Sequence, residues 1–462
     1  MNLQKTLFVS AWALAYAGVS YAAVSPEEAK KLGTTLTYFG AEKSGNDAGT
    51  IPAYTGGVTT PPAGFKKGDL LRPDPFSNEK PLFSIDAKNM EKYADKLTDG
   101  AKALIKKYPS YRVDVYPTHR SVAYPNSVKD NTLKCATTAK TKDAGVSFEG
   151  CHGGVPFPIP QDGFEVMWNH LTAHRGDSYR ADYQSLFVDT SGKLVTTGGG
   201  AYFAEYPYWH NTTQNTGGDQ QYFRVKVFYS VPTRRAGEII LSIDHPDVLG
   251  IGRKVWSYLP GQRRVRLAPT VAHDTPNPST GGSSTYDDAY VFDGSMERFK
   301  FKLLGKKEMY VPYNDYKLTY WSKAADVMKP NHINPDFVRW ELHRVWVVEA
   351  TLAEGKRHIY SKRVFYVDED SWSALASDEY DMRGQFYRTS FSYPAPSYDV
   401  PAAMVLTHGS YDLISGIYVL NIYFAEGRGT GIGGGGVPGL QYLSPTPDKE
   451  WTPDFVAGSG TR

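Results

Sequence analysis

His170 and His174 stand four positions apart, the spacing at which two imidazoles on one helix face can share a zinc ion. The zinc hydrolase pattern also needs a glutamate directly after the first histidine, and Leu171 stands there instead. His152 could add a ligand, but no acidic cluster converges nearby, so histidines hydrogen-bonded at a helix and sheet junction are expected and no metal site is predicted. Asp287, Asp288 and Asp293 supply the paired carboxylates that a glycosidase needs. Adjacent residues on a strand point to opposite faces, so a turn solvated by its aspartates is the expectation. No Gly-x-Ser-x-Gly elbow occurs. Gly429, Gly431 and Gly434 match Gly-x-Gly-x-x-Gly, but Val437-Pro438-Gly439 stands where a phosphate-binding helix would have to start. No catalytic residue and no cofactor is therefore predicted. Arg263, Arg264 and Arg266, with Arg253 and Lys254 on the adjoining strand, form the densest basic group and suit an anionic headgroup or an acidic partner surface. Charge that protects a sheet edge accounts for the same residues nearly as well.

Where such groups can act depends on compartment. Lys5 is followed by thirteen uncharged, mainly apolar residues, Leu7 to Val19, and by small residues at Ser20-Tyr21-Ala22. That pattern predicts a signal peptide over residues 1–22 and an exported protein, and the run is too short for a spanning helix, which needs about 20 residues. No thiol lies near the cut to receive a lipid, so a soluble periplasmic or secreted protein is expected, with the periplasm preferred. Removing Lys5 takes the formal net charge from +2 to +1. This near balance argues against nucleic acid as a partner, and no later run predicts a transmembrane segment. Cys135 and Cys151, the two cysteines of an exported chain, are expected to form a disulfide pinning a polar loop, worth about 3 kcal/mol for a loop of that size.

The elements that must position these residues read as mainly β. Residues 23–83, rich in Gly, Pro and Thr, predict an extended arm over the body. Residues 84–436 read as one large β domain, with helices near 87–108 and 163–175, the second started by Asp162 and Glu165. Strands are expected at 111–116, 183–188, 193–197, 222–230, 238–243, 254–259, 263–267, 297–303, 339–350, 358–368, 385–392 and 416–424, with Pro260-Gly261 joining a hairpin. Consecutive strands with short turns predict a large curved antiparallel sheet or an incompletely closed barrel with a few covering helices. The stretch 270–288 is long enough to be a lid or mobile rim, and 437–462 reads as a tail with little structure of its own.

Several segments carry a resemblance. Leu32 to Thr37 with Gly40 to Lys43, Gly49 to Gly57, Gly154 to Pro158 running into Trp168-Asn169-His170, and Trp256 to Arg266 resemble the domain of unknown function 1329 family over nearly the whole mature chain. The resemblance implies kinship with outer-membrane lipoprotein-sorting proteins and the periplasmic lipoprotein carrier fold, an unclosed barrel whose apolar concavity is plugged by helices. It also implies, as partners, an inner-membrane exporter of the resistance-nodulation-division type and an outer-membrane β-protein. It brings no established catalytic residue.

Strand 339–350 is apolar on both faces, and 14% of the residues are aromatic, 33 of them tyrosine, composition that suits a wide cavity wall or an ordinary β-sheet. Together with the resemblance this predicts a carrier or adaptor for a lipid or other hydrophobic molecule, with Trp256, Tyr258, Trp340, Trp346, Phe365 and Phe386 near an apolar cavity. An envelope hydrolase and a purely structural adaptor are the alternatives.

Overall fold

The computed structural model describes residues 24–210, 220–268, 273–426 and 438–459. The expected signal peptide of residues 1–22 and the Gly429, Gly431 and Gly434 pattern lie outside them. The strands in chain order are β1 Phe83–Ile85, β2 Val113–Val115, β3 Lys140–Lys142, β4 Ser147–Glu149, β5 Ser178–Val188, β6 Leu194–Glu205, β7 Phe223–Val231, β8 Ile239–Asp244 and β9 Lys254–Leu259. They continue with β10 Arg264–Leu267, β11 Phe299–Pro312, β12 Trp340–Leu352, β13 Lys362–Asp368, β14 Ala374–Tyr380, β15 Phe386–Ser392, β16 His408–Asp412, β17 Tyr418–Tyr423 and β18 Leu440–Tyr442. Sixteen of them make one sheet, and β3 pairs only with β4.

Two meanders, β5 to β10 and β11 to β17, are joined where β17 pairs antiparallel with β5. The sheet does not close, because β10 and β11 are not paired with each other. It is mixed: every pairing is antiparallel except the bridge from Trp340 to Val115. Residues 438–459, expected as an unstructured tail, instead supply β18, which continues the lane of β17 beside β5, and a helix at Pro453–Ser459. Asp189 accepts from Ser191 N–H and Lys193 N–H, which closes the β5–β6 turn anticipated from Asp-Thr-Ser-Gly.

The helix expected at 87–108 is divided. A 3-10 turn, Met90–Lys96, ends at extended Leu97, and Thr98 then caps an α-helix at Asp99–Lys107 by accepting from Ala101 N–H. Asp378 of β14 accepts from Asp99 N–H and Gly100 N–H, so a strand carboxylate meets the orphan donors of the helix start. The second helix, Gly163–Leu171, is capped by Asp162 and buried on every side.

This buried helix and segment 273–298 pack against one face of the sheet. Segment 273–298 is an internal plug, and the lid or rim expected at 270–288 falls largely within it: Thr280, Asp287, Asp288, Tyr290, Val291 and Phe292 are all buried. The aspartate pair expected in a solvated turn is ion-paired inside. Arg363 of β13 lies 3.2 Å from Asp287 and 3.0 Å from Asp288, and His358 lies 3.0 Å from Asp287. Thr285 and Asp288 form a capping box that holds both carboxylates toward β13. Adjacent carboxylates can share one cation here because 3-10 geometry, unlike a strand, does not send them to opposite faces.

Candidate functional site

The largest cavity described lies under the N-terminal arm, not within the curve of the sheet. It measures about 510 Å³, is partly open to solvent, and is lined by Leu36, Tyr38, Phe39, Tyr54, Tyr124 and Val128, with Lys43 and Lys129. One wall is the arm. Asn46 closes its turn by accepting from Ile51 N–H, and Val58 N–H donates to Ser121 O. Gly57, at φ 76°, lets the arm pass so close that a Cβ would stand 2.2 Å from Val122 O. The opposite wall is the helix Asn126–Thr138, which begins after Pro125.

The cavity's rings are fixed by their hydroxyls. Tyr54 donates to Val122 O at 3.0 Å and Tyr124 to Asp370 O at 2.9 Å. Phe39 packs edge-on against Tyr54 at 5.2 Å and tilted against Tyr124 at 4.7 Å. With the phenols bonded to backbone, apolar ring faces are left to line the space. Burial pushes both phenols above their ordinary range, so they stay neutral. Lys129 Nζ lies 4.1 Å from the centroid of the Tyr38 ring, a cation held beside an apolar wall.

Cys135, on the 126–138 helix, is bridged to Cys151 with Cα atoms 4.9 Å apart. The expected disulfide is present, but it pins more than a loop. The chain between the cysteines forms the end of that helix and the β3–β4 hairpin, so the bridge anchors the cavity's helical wall.

A second cavity of about 110 Å³ lies between the β5–β10 meander and the plug, lined by Tyr183, Tyr202, Val225, Val227, Tyr229 and Ile240 among others. The expected hollow of the unclosed barrel is reduced to this remnant. Tyr202 and Tyr290 are hydrogen-bonded across it, and Tyr229 bonds Ser279 at 3.1 Å.

None of the six rings expected near a cavity lines either one. Trp256 pairs with Leu241 and Tyr258 with Ile239, which puts both rings on the sheet face covered by Trp451 and Val456 of the C-terminal segment. Val255, one position away, is the residue that reaches the smaller cavity. Trp340 packs on Phe391 at 5.4 Å in the cluster that holds helix Asp99–Lys107. Trp346 stacks on Trp372 at 6.2 Å, and Phe365 is sealed against Phe292 at 5.3 Å. Phe386, half-buried, meets Tyr380 at 5.3 Å. The rings that do line the large cavity come mostly from the arm, whose lack of periodicity left Tyr38, Phe39 and Tyr54 without a signal as wall residues.

The basic group also divides. Arg253, its side chain 9% exposed, is ion-paired with Asp244 and with Asp293, the latter at 2.7 Å, so it is committed internally rather than presented to a headgroup. Arg263, Arg264 and Arg266 are exposed, in the turn and on edge strand β10. His170 and His174 do not form a pair either, because the helix ends at Leu171. His170 Nε2 donates to Phe292 O at 2.7 Å and its Nδ1 accepts from Ala374 N–H at 2.9 Å, which leaves no lone pair for zinc.

Residues 84–447 match the family described as a protein of unknown function, DUF1329. The uncharacterized protein PA3922 of Pseudomonas aeruginosa is 40% identical over 405 residues, covering 86% of this chain and 88% of the relative. This chain belongs to the DUF1329 family. Among solved structures, a DUF1329 family protein from Desulfovibrio piger is similar at 13% identity and TM-score 0.40, covering 61% of this chain and 91% of that one. LolA superfamily protein NE2245 from Nitrosomonas europaea is similar at 13% identity and TM-score 0.37, covering 64% and 100%.

In this DUF1329 chain the plug is held by histidines that must stay neutral. Burial lowers His170 to about 3 and His408 to about 4. Both folded values lie below the ordinary 6.5, so the unfolded chain binds the proton first as pH falls. Stability from these groups is present above pH 6.5 and is lost between 6.5 and 3. Glu165, pushed up to about 7 by burial, acts in the opposite sense and loses its contribution as pH rises. The expected result is that, on going from pH 6.5 to 4.5, the urea midpoint of the wild type drops relative to that of His170→Gln. An equal slope in that variant contradicts the assignment.

Proposed function

We propose that this protein is a passive carrier for a hydrophobic molecule with an anionic head, bound in the cavity beneath the arm. The observation that carries this reading is the cleft of about 510 Å³, walled by Leu36, Phe39, Tyr54 and Tyr124 and edged by Lys43 and Lys129. Its volume falls within the roughly 300–1,000 Å³ of small-molecule sites, and the 110 Å³ remnant on the sheet does not. An acyl chain moved from water into such a wall gains about 0.8 kcal/mol per methylene. The two ammonium groups supply the charge that fixes which end faces out.

The Cys135–Cys151 bridge supports an oxidising compartment such as the periplasm, where no ATP is available and binding must be reversible. No helix among the described residues is long and apolar enough to cross a membrane. A carrier of this kind needs a donor and an acceptor, and the exporter and outer-membrane β-protein implied by the family resemblance fit those places. Arg263, Arg264 and Arg266 on the exposed edge are the surface we assign to a partner or headgroup.

Two measurements test the reading. Mass spectrometry of protein purified without detergent is expected to find a co-purifying acidic amphiphile. Titration with an anthroyloxy-labelled fatty acid is expected to saturate at one site, and Lys43→Gln with Lys129→Gln to weaken it about tenfold, the loss of 1.4 kcal/mol. Thr55→Trp, which sets a bulky ring at an exposed position of the lining, is expected to abolish it. Unchanged binding in both variants places the probe elsewhere and removes the proposal.

A further inference from the structure

His343, Asp368 and Asp370 are buried, and one ligand atom from each lies within 4.8 Å of the other two. They sit at the far end of the β12–β13 pair, on β12, at the end of β13 and in the turn that follows it. His343 Nε2 lies 3.1 Å from Glu341 Oε2. Glu341 accepts from His119 N–H, Asn314 Nδ2 and Arg339 Nε, so it faces the imidazole as an acceptor and the imidazole proton belongs on Nε2. The Nδ1 lone pair then faces Asp368 Oδ1 at 3.9 Å, too long for a hydrogen bond. Asp368 Oδ1 is fully buried and has no hydrogen-bond partner, although Oδ2 of the same carboxylate accepts from Tyr313 OH and Ser371 N–H. Two buried acceptors that face each other repel unless a positive charge lies between them.

The surrounding charge points the same way. Ion pairs link His343 through Glu341 and Arg339 to Glu79, and the turn through Arg120, Lys306 and Arg344 to Glu42. In this group six carboxylates, Glu42, Glu79, Glu341, Asp368, Glu369 and Asp370, face four permanent cations, Arg120, Lys306, Arg339 and Arg344, so acidic groups outnumber basic ones by two. The parts of a bound-metal environment are also in place. Glu341 orients the imidazole from behind, as a carboxylate does for a metal-ligating histidine, and Tyr313 stacks on that ring at 3.7 Å.

We propose that His343 Nδ1, Asp368 and Asp370 bind a divalent cation of the zinc class. One imidazole and two carboxylates suit a borderline ion that accepts nitrogen and oxygen donors at about 2.0–2.2 Å, and two such bonds span the 3.9 Å gap at an open angle. The ion clamps β12 to the β13–β14 turn. That turn carries Asp370, whose carbonyl receives Tyr124 OH and whose carboxylate holds Arg120, itself 5.4 Å from the Tyr54 ring. The cation thus stands behind the wall of the arm cavity, though its binding does not depend on what that cavity carries.

The test uses the untagged full chain, stripped with chelator and then titrated with zinc alone against a chromophoric competitor. One equivalent is expected to bind, with affinity lowered on the order of 100-fold in Asp368→Asn and in His343→Gln and unchanged in a His152→Gln control. X-ray absorption of the zinc-loaded wild type needs no variant, and a single imidazole with oxygen neighbours is the expected spectrum. Failure of the wild type to hold one equivalent overturns the proposal and leaves a proton shared by His343 and Asp368 as the charge in the gap. Zinc bound by several imidazoles, or equally well by variants that fold, also overturns it.

Discussion

Arg363→Met is expected to lower the unfolding free energy by about 3–5 kcal/mol, the usual cost of removing one partner from a buried ion cluster. The guanidinium is fully buried and binds Asp287 at 3.2 Å, Asp288 at 3.0 Å and Val291 O at 3.0 Å, between the rings of Phe292, Tyr360 and Phe365. Glu379, 4.0 Å away, is pushed up to about 8 by burial, so it can stay neutral at pH 7 and is not stranded when the arginine is lost. Asp287 cannot do so as easily. Its carboxyl is buried, yet Arg363 and His358 hold it well below the usual carboxylate range, and Thr285 OH adds a hydrogen bond. The variant therefore leaves a charge stranded between the plug and β13. Equilibrium urea unfolding at pH 7 measures the loss, and Arg363→Met with Asp287→Asn and Asp288→Asn is expected to recover part of it. A change below 1 kcal/mol in the single variant means the cluster does not hold the plug. Arg363→Lys is not expected to rescue, because one ammonium cannot reproduce the fork to two carboxylates.

Replacing both Cys135 and Cys151 by serine is expected to cost about 3 kcal/mol, the chain-entropy value for a loop of this length, and to remove fatty-acid binding as well. The two effects have one origin. The bridge holds the helix Asn126–Thr138, whose Val128, Lys129 and Thr132 line the arm cavity, against the Gly150–Val155 segment that Thr132 and Asn131 also bond. Without it those hydrogen bonds alone must keep the wall in place. Denaturation with and without reductant gives the stability difference, and the probe titration gives the functional one. Retention of full probe affinity in the reduced protein separates the bridge from the site.

The strands that were legible in the chain are those whose own residues carry the pattern. Lys254–Leu259 lies where its alternation and the following Pro-Gly turn put it, and β7, β8, β12 and β15 fall within a few residues of expectation. β14 and β16 gave no such signal. Ser377, Asp378 and Glu379, and Gly409 and Ser410, look like turn residues, and all are buried. Asp378 and Glu379 tolerate burial because Tyr366 and the amides of Asp99 and Gly100 reach the first and Arg363 the second from elsewhere in the chain.

The same contrast holds for the sites. The expectation of export and the oxidised cysteine pair follow from local composition, and a mainly β chain from periodicity, because each depends only on residues near one another in sequence. Which face a ring such as Trp256 occupies depends on register and on what covers that face, a choice made when residues 438–459 fold back onto β8 and β9. Aspartates 287 and 288 are a solvated turn or a buried anchor according to whether an arginine some 75 positions away arrives beside them. The arm cavity exists only because an aperiodic segment, held by glycines and backbone hydrogen bonds, is laid across a helix that a disulfide keeps in place. Periodicity reports a chain's preference for an interior, and only the folded chain decides whose interior it becomes.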